Sequence, residues 1–395
     1  MTLLEGTVFL LLLLLSLPGL CRRTRRPGLL YPSYIVAGMI AGAFMSPQVV
    51  ESWREIGELG FILLLFSVGL EVELPERRDS WVALQRAITW MAPQALLVTG
   101  GLAVAGLPLA QSAAAGVALA STSVGMAYVL WTHFEFPTEA GRKAFLEWMV
   151  AIEVLTIVAL ASMGPIIEGM AWWLSLLHFV GILVAAGIAA FIAIRLVPPL
   201  VNALKRGITI DTPLLVLALF AICALGNRLG LSAPKTAFVL GLFISRSTGA
   251  EVALNHKLEP LRDRMFVPVF YFGLGMLLRF EYLATWPFYA AIVAGVVLYG
   301  MRRMVFGWFF ARRFGTGPSA HGITSPMLTM GAVAVDILAR SHASPQLVAW
   351  TLAASLSLSL CGAFRRGSDG GRITDYEPTT VAPEAVETLD RPDPD

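Results

Sequence analysis

RKAFLEWMVAIEVLTIVALASMGPII, residues 142–167, places Glu153 near the centre of an apolar run, flanked by Ile152 and Val154. A run of more than about twenty such residues is long enough to cross the roughly 30 Å of hydrocarbon in a bilayer. Backbone amides cannot stay unpaired in lipid, so the run is expected to be a helix. A carboxylate at its midpoint is expensive there and by default marks an ion or proton path. The bland alternative is a protonated acid that bonds a neighbouring helix for packing.

The rest of the chain repeats the pattern. Of the 395 residues, 56% are hydrophobic and only 14% charged, a balance that excludes an ordinary water-soluble domain. Apolar length gives about thirteen spans, near 6–21, 29–46, 56–73, 82–106, 111–131, 142–167, 170–196, 213–227, 231–246, 264–280, 285–311, 320–340 and 345–363. The first run lacks a basic segment before it and is followed by Arg22, Arg23, Arg25 and Arg26, so it is read as a retained helix rather than a signal peptide. With the amino terminus outside, the pairs Arg77-Arg78, Arg142-Lys143, Lys205-Arg206, Arg312-Arg313 and Arg365-Arg366 all fall on the cytoplasmic side, while the opposite loops hold little beyond Arg54, Arg228, Arg279 and Arg340. That asymmetry predicts a multi-pass protein of the plasma membrane with a cytoplasmic carboxyl end.

Residues 1–366 are therefore one transmembrane domain, and 367–395 form an acidic cytoplasmic tail too polar to bury a core, expected to be disordered. Glu251–Arg264 mixes charge with spaced leucines and reads as a surface helix. No phosphate-binding glycine loop, metal-ligand spacing or nucleophile and base pair is visible, so neither an enzyme nor a resident cofactor nor a nucleotide-binding regulatory domain is expected. The three cysteines lie far apart and suggest no disulfide framework.

Two spans look interrupted. Ala120-Ser121-Thr122-Ser123-Val124-Gly125 sets hydroxyls and a glycine inside one apolar run, and Ser325-Pro326 with Thr329-Met330-Gly331 does the same near the end of the chain. Broken helices expose carbonyls and half-helix ends that bind ions, although serines and threonines in membrane helices also bond their own backbone. Arg302 and Arg303 interrupt a further run; one turns inward to a carboxylate, or the pair snorkels to the interface. Asp336 is open to two readings, a second intramembrane acid or a residue near the outer end of its helix paired with Arg340. Lys235 reads as an interfacial anchor.

These motifs, in this order, resemble the monovalent cation:proton antiporter-2 family, the Kef-type and bacterial sodium/proton exchanger group. Tyr34 to Gly42 is similar to the family's second-helix glycine run. Glu58-Leu59-Gly60 through Leu63 to Glu71 is similar to its most recognisable segment. Gly230 to Ala233 with Gly241-Leu242, Leu258 to Asp263 with Phe266 to Phe270, and Gly273 to Met276 also fit. The resemblance implies inverted repeats with two crossed discontinuous helices, and a homodimer in which a core bundle slides against a dimerisation bundle. It implies Glu153 in the place of the ion-binding aspartate, Thr122 with Ser121 and Ser123 beside it, and Arg303 at the later basic position. Three positions depart from the family pattern: Ile152 where an acid or amide is usual, glutamate for aspartate at 153, and Met330-Gly331-Ala332 where Arg-Gly-Glu is common. A single titrating acid then implies electroneutral exchange of one Na+ or K+ for one H+. Two other readings stay open: an ion sensor or membrane component of a larger complex on this fold, and a channel or carrier of another solute.

Overall fold

The structure is a computed structural model that describes residues 2–24, 29–71, 77–123, 138–175, 177, 180–181, 212–228, 233–248, 258–314, 322–325 and 327–364. Among these residues every regular element is helical. The principal helices are α1 (Leu3–Arg23), α2 (Leu30–Gly42), α3 (Pro47–Glu71), α4 (Arg77–Val104), α5 (Leu109–Ala120) and α6 (Glu139–Ile167). After them come α7 (Thr212–Arg228), α8 (Ala233–Thr248), α9 (Val267–Met276), α10 (Trp286–Val305), α11 (Leu328–Arg340) and α12 (Pro345–Phe364). Among the described residues, six stretches are long and apolar enough to cross a membrane: Leu3–Cys21, Trp81–Val104, Ala140–Ile167, Trp286–Phe310, Gly322–Arg340, which includes the undescribed position 326, and Pro345–Gly362. Shorter apolar helices occupy the runs expected at 29–46, 111–131 and 213–227. The tail at 367–395, most of the span expected at 170–196 and the first half of the segment at 251–264 lie outside the described residues; residues 258–264 are helical.

Contacts sort the helices into two bundles. One joins α2, α3, α8 and α9, with α7 against α8 and α1 along α2; the other joins α4, α5, α6, α10, α11 and α12. In the first, α2 and α9 approach closely because each offers a glycine to the other's backbone. A methyl group on Gly38 would overlap the carbonyl of Phe272, and one on Gly275 would overlap that of Ile35. Lipid gives no hydrophobic drive between helices, so such small residues supply the close packing that holds them. The glycines of the sequence motifs at 34–42 and 273–276 are thus the contact surface of one helix pair.

In the second bundle, aromatic rings fix α6. Trp148 stacks on Phe310, with centroids 4.9 Å apart, and meets Trp90 of α4 edge-on at 5.3 Å. The chain after α10 continues through a π-helical turn, Phe306–Phe310, into Ala311–Phe314. That turn lines up Phe306, Phe310 and Phe314 as a stack facing α6, with Phe145 edge-on to Phe314. Offset and edge-on pairs of this kind contribute about 0.5–1.5 kcal/mol each beyond burial. Trp148 lies just over one turn before Glu153, so the cluster sets the rotation of α6 that carries the acid.

Candidate functional site

Helix α5 stops at Ala120, where the backbone turns extended at Ser121 (φ −78°, ψ 176°). The hydroxyl of Ser121 donates to the carbonyl of Ala118 at 2.6 Å, so the serine closes the helix end on itself. On the other side of the crossing, a short 3-10 turn at 322–324 precedes Ser325, and α11 begins only at Leu328. The first interruption read from the sequence is where α5 ends and Ser325 precedes the start of α11, whereas Thr329, Met330 and Gly331 lie inside α11 and Pro326 lies outside the described residues. The two breaks face one another: α5 packs on α11, and Ser123 Oγ donates to Thr329 Oγ1 at 3.2 Å. Tyr271 of α9, from the opposite bundle, bonds the same Thr329 hydroxyl at 3.2 Å.

Arg302 ties the breaks together. Its side chain is fully buried, and four of its five donors are used. Nε donates to Gln94 Oε1 at 2.8 Å, and Nη1 donates to the carbonyl of Thr324 at 2.7 Å. Nη2 donates to the carbonyls of Leu119 and Ser121, each at 2.7 Å. The guanidinium also lies over the Trp90 ring, 5.7 Å from its centroid. The last carbonyls of a helix have no intrahelical partner and carry the negative end of its dipole. A buried cation at that end satisfies the orphan groups and is itself stabilised, which is how so costly a charge is kept in the membrane.

One of Arg302 and Arg303 was expected to turn inward to a carboxylate; Arg302 is the one that turns inward, and it meets carbonyls and an amide instead. The physical reason is that a broken helix end concentrates several partial negative charges at one point. Arg303, the basic position implied by the resemblance, is exposed on the other face of α10. Adjacent helix positions are about 100° apart, so only one of the pair can face the crossing.

Glu153 is 1% exposed, and its helix α6 packs against α4, α5 and α11. Ser121, Thr122 and Ser123 are all buried. Thr122 Oγ1 meets no hydrogen-bonding partner among the described residues, which leaves an acceptor oxygen in the break. Gly331, within the triplet that replaces Arg-Gly-Glu, lies where any side chain would strike Ser355 of α12. Asp336 stands apart from the crossing, seven residues or roughly 10 Å along α11 from Thr329. Its two carboxylate oxygens share the single N–H of Arg340 Nε, at 3.0 and 2.9 Å, and Arg340 Nη2 donates to Glu58 at 2.9 Å. Of the two readings of Asp336, the pairing with Arg340 is the one the structure displays.

Sequence reasoning missed Gln94, Thr324, Tyr271 and Glu58 as members of these networks. Gln94 had a signal, since Pro93-Gln94 interrupts an apolar run in the middle of α4. The others act through a carbonyl, or through a pairing between distant helices that no local pattern carries. Among the described residues no cluster of three or more histidine, cysteine or acidic side chains could hold a metal ion.

The sodium/hydrogen exchanger transmembrane family matches residues 9–363. The chain is 25% identical over 258 residues to the high-affinity Na+/H+ antiporter NhaS3 of Synechocystis, covering 62% of this chain and 55% of that protein. It is 27% identical over 299 residues to the glutathione-regulated potassium-efflux system protein KefC of Klebsiella pneumoniae, covering 71% of this chain and 46% of that one. The chain thus spans about half the length of these curated relatives. Among solved structures, the sodium proton antiporter MjNhaP1 from Methanocaldococcus jannaschii superposes with a TM-score of 0.63 over 92% of this chain and 98% of that one, at 15% identity. At that identity the likeness speaks to the fold.

Proposed function

The chain belongs to the sodium/hydrogen exchanger transmembrane family, and from that premise we propose that it exchanges a monovalent cation, Na+ or K+, for H+ by alternating access. The observation that carries this reading is the buried carboxylate Glu153 on a helix packed against both broken helices. A carboxylate must lose its proton before it coordinates a hard cation, so it holds one or the other. Competition for one site is enough to couple the two fluxes. Thr122 Oγ1 and the serine hydroxyls of the break supply neutral oxygens of the kind that replace a cation's water. The named activities of NhaS3 and KefC, one for Na+ and one for K+, support the substrate class.

In this reading the amino terminus lies outside and the carboxyl end in the cytoplasm, supported by the charge bias of the loops, and the homodimer is carried over from the family resemblance alone. The bundle that holds the site slides against the other, and Arg302 moves with the site. Proton flux in reconstituted vesicles challenged with Na+, K+ and Li+ tests the exchanger reading. Absence of cation-driven proton movement for all three sinks it and favours the sensor reading.

The exchange is electroneutral. An electrogenic cycle needs a second group that gives up a proton as the cation binds. Ile152 cannot ionise, Arg302 keeps its proton because arginine stays charged in proteins, and Asp336 is held by Arg340 two turns from the crossing. The expected outcome is that a valinomycin-imposed potential leaves the rate in Na+-loaded vesicles unchanged when the proton gradient is clamped. A rate that follows the voltage would show a second titrating group.

Residues 367–395 form a separate acidic tail outside the transport unit, as their composition suggests. Truncation after Gly367 is expected to leave basal exchange within about twofold of the intact chain, on the ordinary effect of surface changes remote from a site. Loss of flux at unchanged expression would make the tail a gating element.

A further inference from the structure

A narrow cleft lies between the bundles, lined by α3 and α9 on one side and α11 on the other. Phe61 and Phe270 stack at its wall, with centroids 4.9 Å apart and planes 10° from parallel. Across the cleft, Arg340 of α11 reaches Glu58 of α3 at 2.9 Å. Arg340 is aimed by its own helix. Asp336, one turn earlier, accepts from Nε, which leaves Nη2 free to point outward to the other bundle. Arg54, one turn before Glu58 on α3, is engaged by Glu51 at 2.8 Å.

We propose that Glu58 and Arg340, with Asp336 as the anchor, form a latch across this cleft, closed in the present conformation and broken whenever that mouth opens. The inference rests on the reading of the protein as an exchanger whose bundles slide. Ion pairs formed within one helix are unaffected when that helix moves as a body, whereas a pair between bundles must break once its atoms separate beyond about 4 Å. A slide of a few ångströms does that. The latch is half exposed, at 46% for the Arg340 side chain and 37% for Glu58, so water and salt screen it. It therefore biases the closed state by about two- to fivefold and does not lock it, as exposed pairs generally do. Asp336 restrains the arginine before it crosses, which lowers the entropy lost on closing. This gives the acid a role at the mouth of the pathway, remote from the ion site.

The test reads cleft opening directly. Leu277 lines the cleft and is half-buried. A cysteine placed there, L277C, is labelled with a maleimide in the purified full chain, with the wild-type protein and its Cys21, Cys223 and Cys361 setting the background. Adding E58Q or R340Q is expected to raise the labelling rate two- to fivefold, and adding both is expected to do no more than either alone, because one interaction is lost in each case. Raising salt should speed labelling of L277C but leave L277C/E58Q unchanged. Rates equal to those of the L277C parent, or single effects that add in the double variant, overturn the latch. Cation-driven proton flux from the same preparations in vesicles is measured in parallel. A protein that does not exchange refutes the exchanger reading, while the labelling rates still decide whether this pair holds the cleft shut.

Discussion

Replacing Glu153 by glutamine abolishes cation-driven proton movement, to the level of empty vesicles, and leaves the protein folded. The amide keeps nearly the shape of the protonated acid and can still donate and accept, so the packing of α6 against α4, α5 and α11 survives. What it cannot do is alternate between a neutral and a negative state. Without the negative charge, no described group at the crossing offsets a cation's lost hydration, since the fixed charge that the described residues leave there, Arg302, is positive and committed to carbonyls. Glu153→Asp is the companion variant. It retains the charge but withdraws it by one methylene, and is expected to exchange with a weaker apparent affinity and an altered order among Li+, Na+ and K+. The measurement is the initial rate of pH change in vesicles against cation concentration, with monodispersity on size exclusion as the folding control. Wild-type rates in Glu153→Gln would take the residue out of the mechanism.

Much of the fold was legible because lipid enforces a simple rule, that long apolar runs must satisfy their own backbone. The breaks at Ala120-Ser121 and Ser325-Pro326 were legible for the same reason, since hydroxyls and proline have no cause to gather in mid-span unless the helix stops there. Glu153 stood out through its cost. The identity of the buried arginine did not, because Arg302 and Arg303 have the same composition and hydropathy and differ only in helix phase, which is set by packing, chiefly against α12. The partners of Arg302 were beyond reach for a further reason: three of its four acceptors are main-chain carbonyls, which every residue has. Glu58 and Arg340 are 282 residues apart, and their pairing depends on how two bundles sit together. Asp336 shows the limit well. A carboxylate four residues before an arginine is equally consistent with a helix-surface pair and with an ion-site acid, and only the position of the crossing separates them.

Arg302→Ala is expected to lose the folded protein, and Arg302→Lys to leave a folded protein that melts several degrees lower and exchanges slowly. Alanine removes the donors to Gln94, Thr324, Leu119 and Ser121 at once, and each buried acceptor left alone costs about 1–3 kcal/mol. The total is comparable with the whole stability of a small domain, about 5–15 kcal/mol. Lysine restores the charge at the carboxyl end of α5, so the dipole interaction is kept. Its donors, however, radiate from one nitrogen and cannot span acceptors on α4, on the end of α5 and on the turn before α11, whereas the planar fork of arginine does. The bond to Thr324 is expected to matter most for activity, because with the Ser123–Thr329 bond it couples the second break to the first. Without it, the hydroxyls of Ser121, Thr122 and Ser123 are no longer held in register with Thr329 and with the acid on α6. Melting of the purified protein and exchange rates in vesicles, compared for wild type, Arg302→Lys and Arg303→Lys, separate this role from a general need for positive charge. Arg303 is exposed, so its lysine variant should match wild type in both measurements. Equal losses at the two positions would mean that the pair serves only to mark the membrane surface.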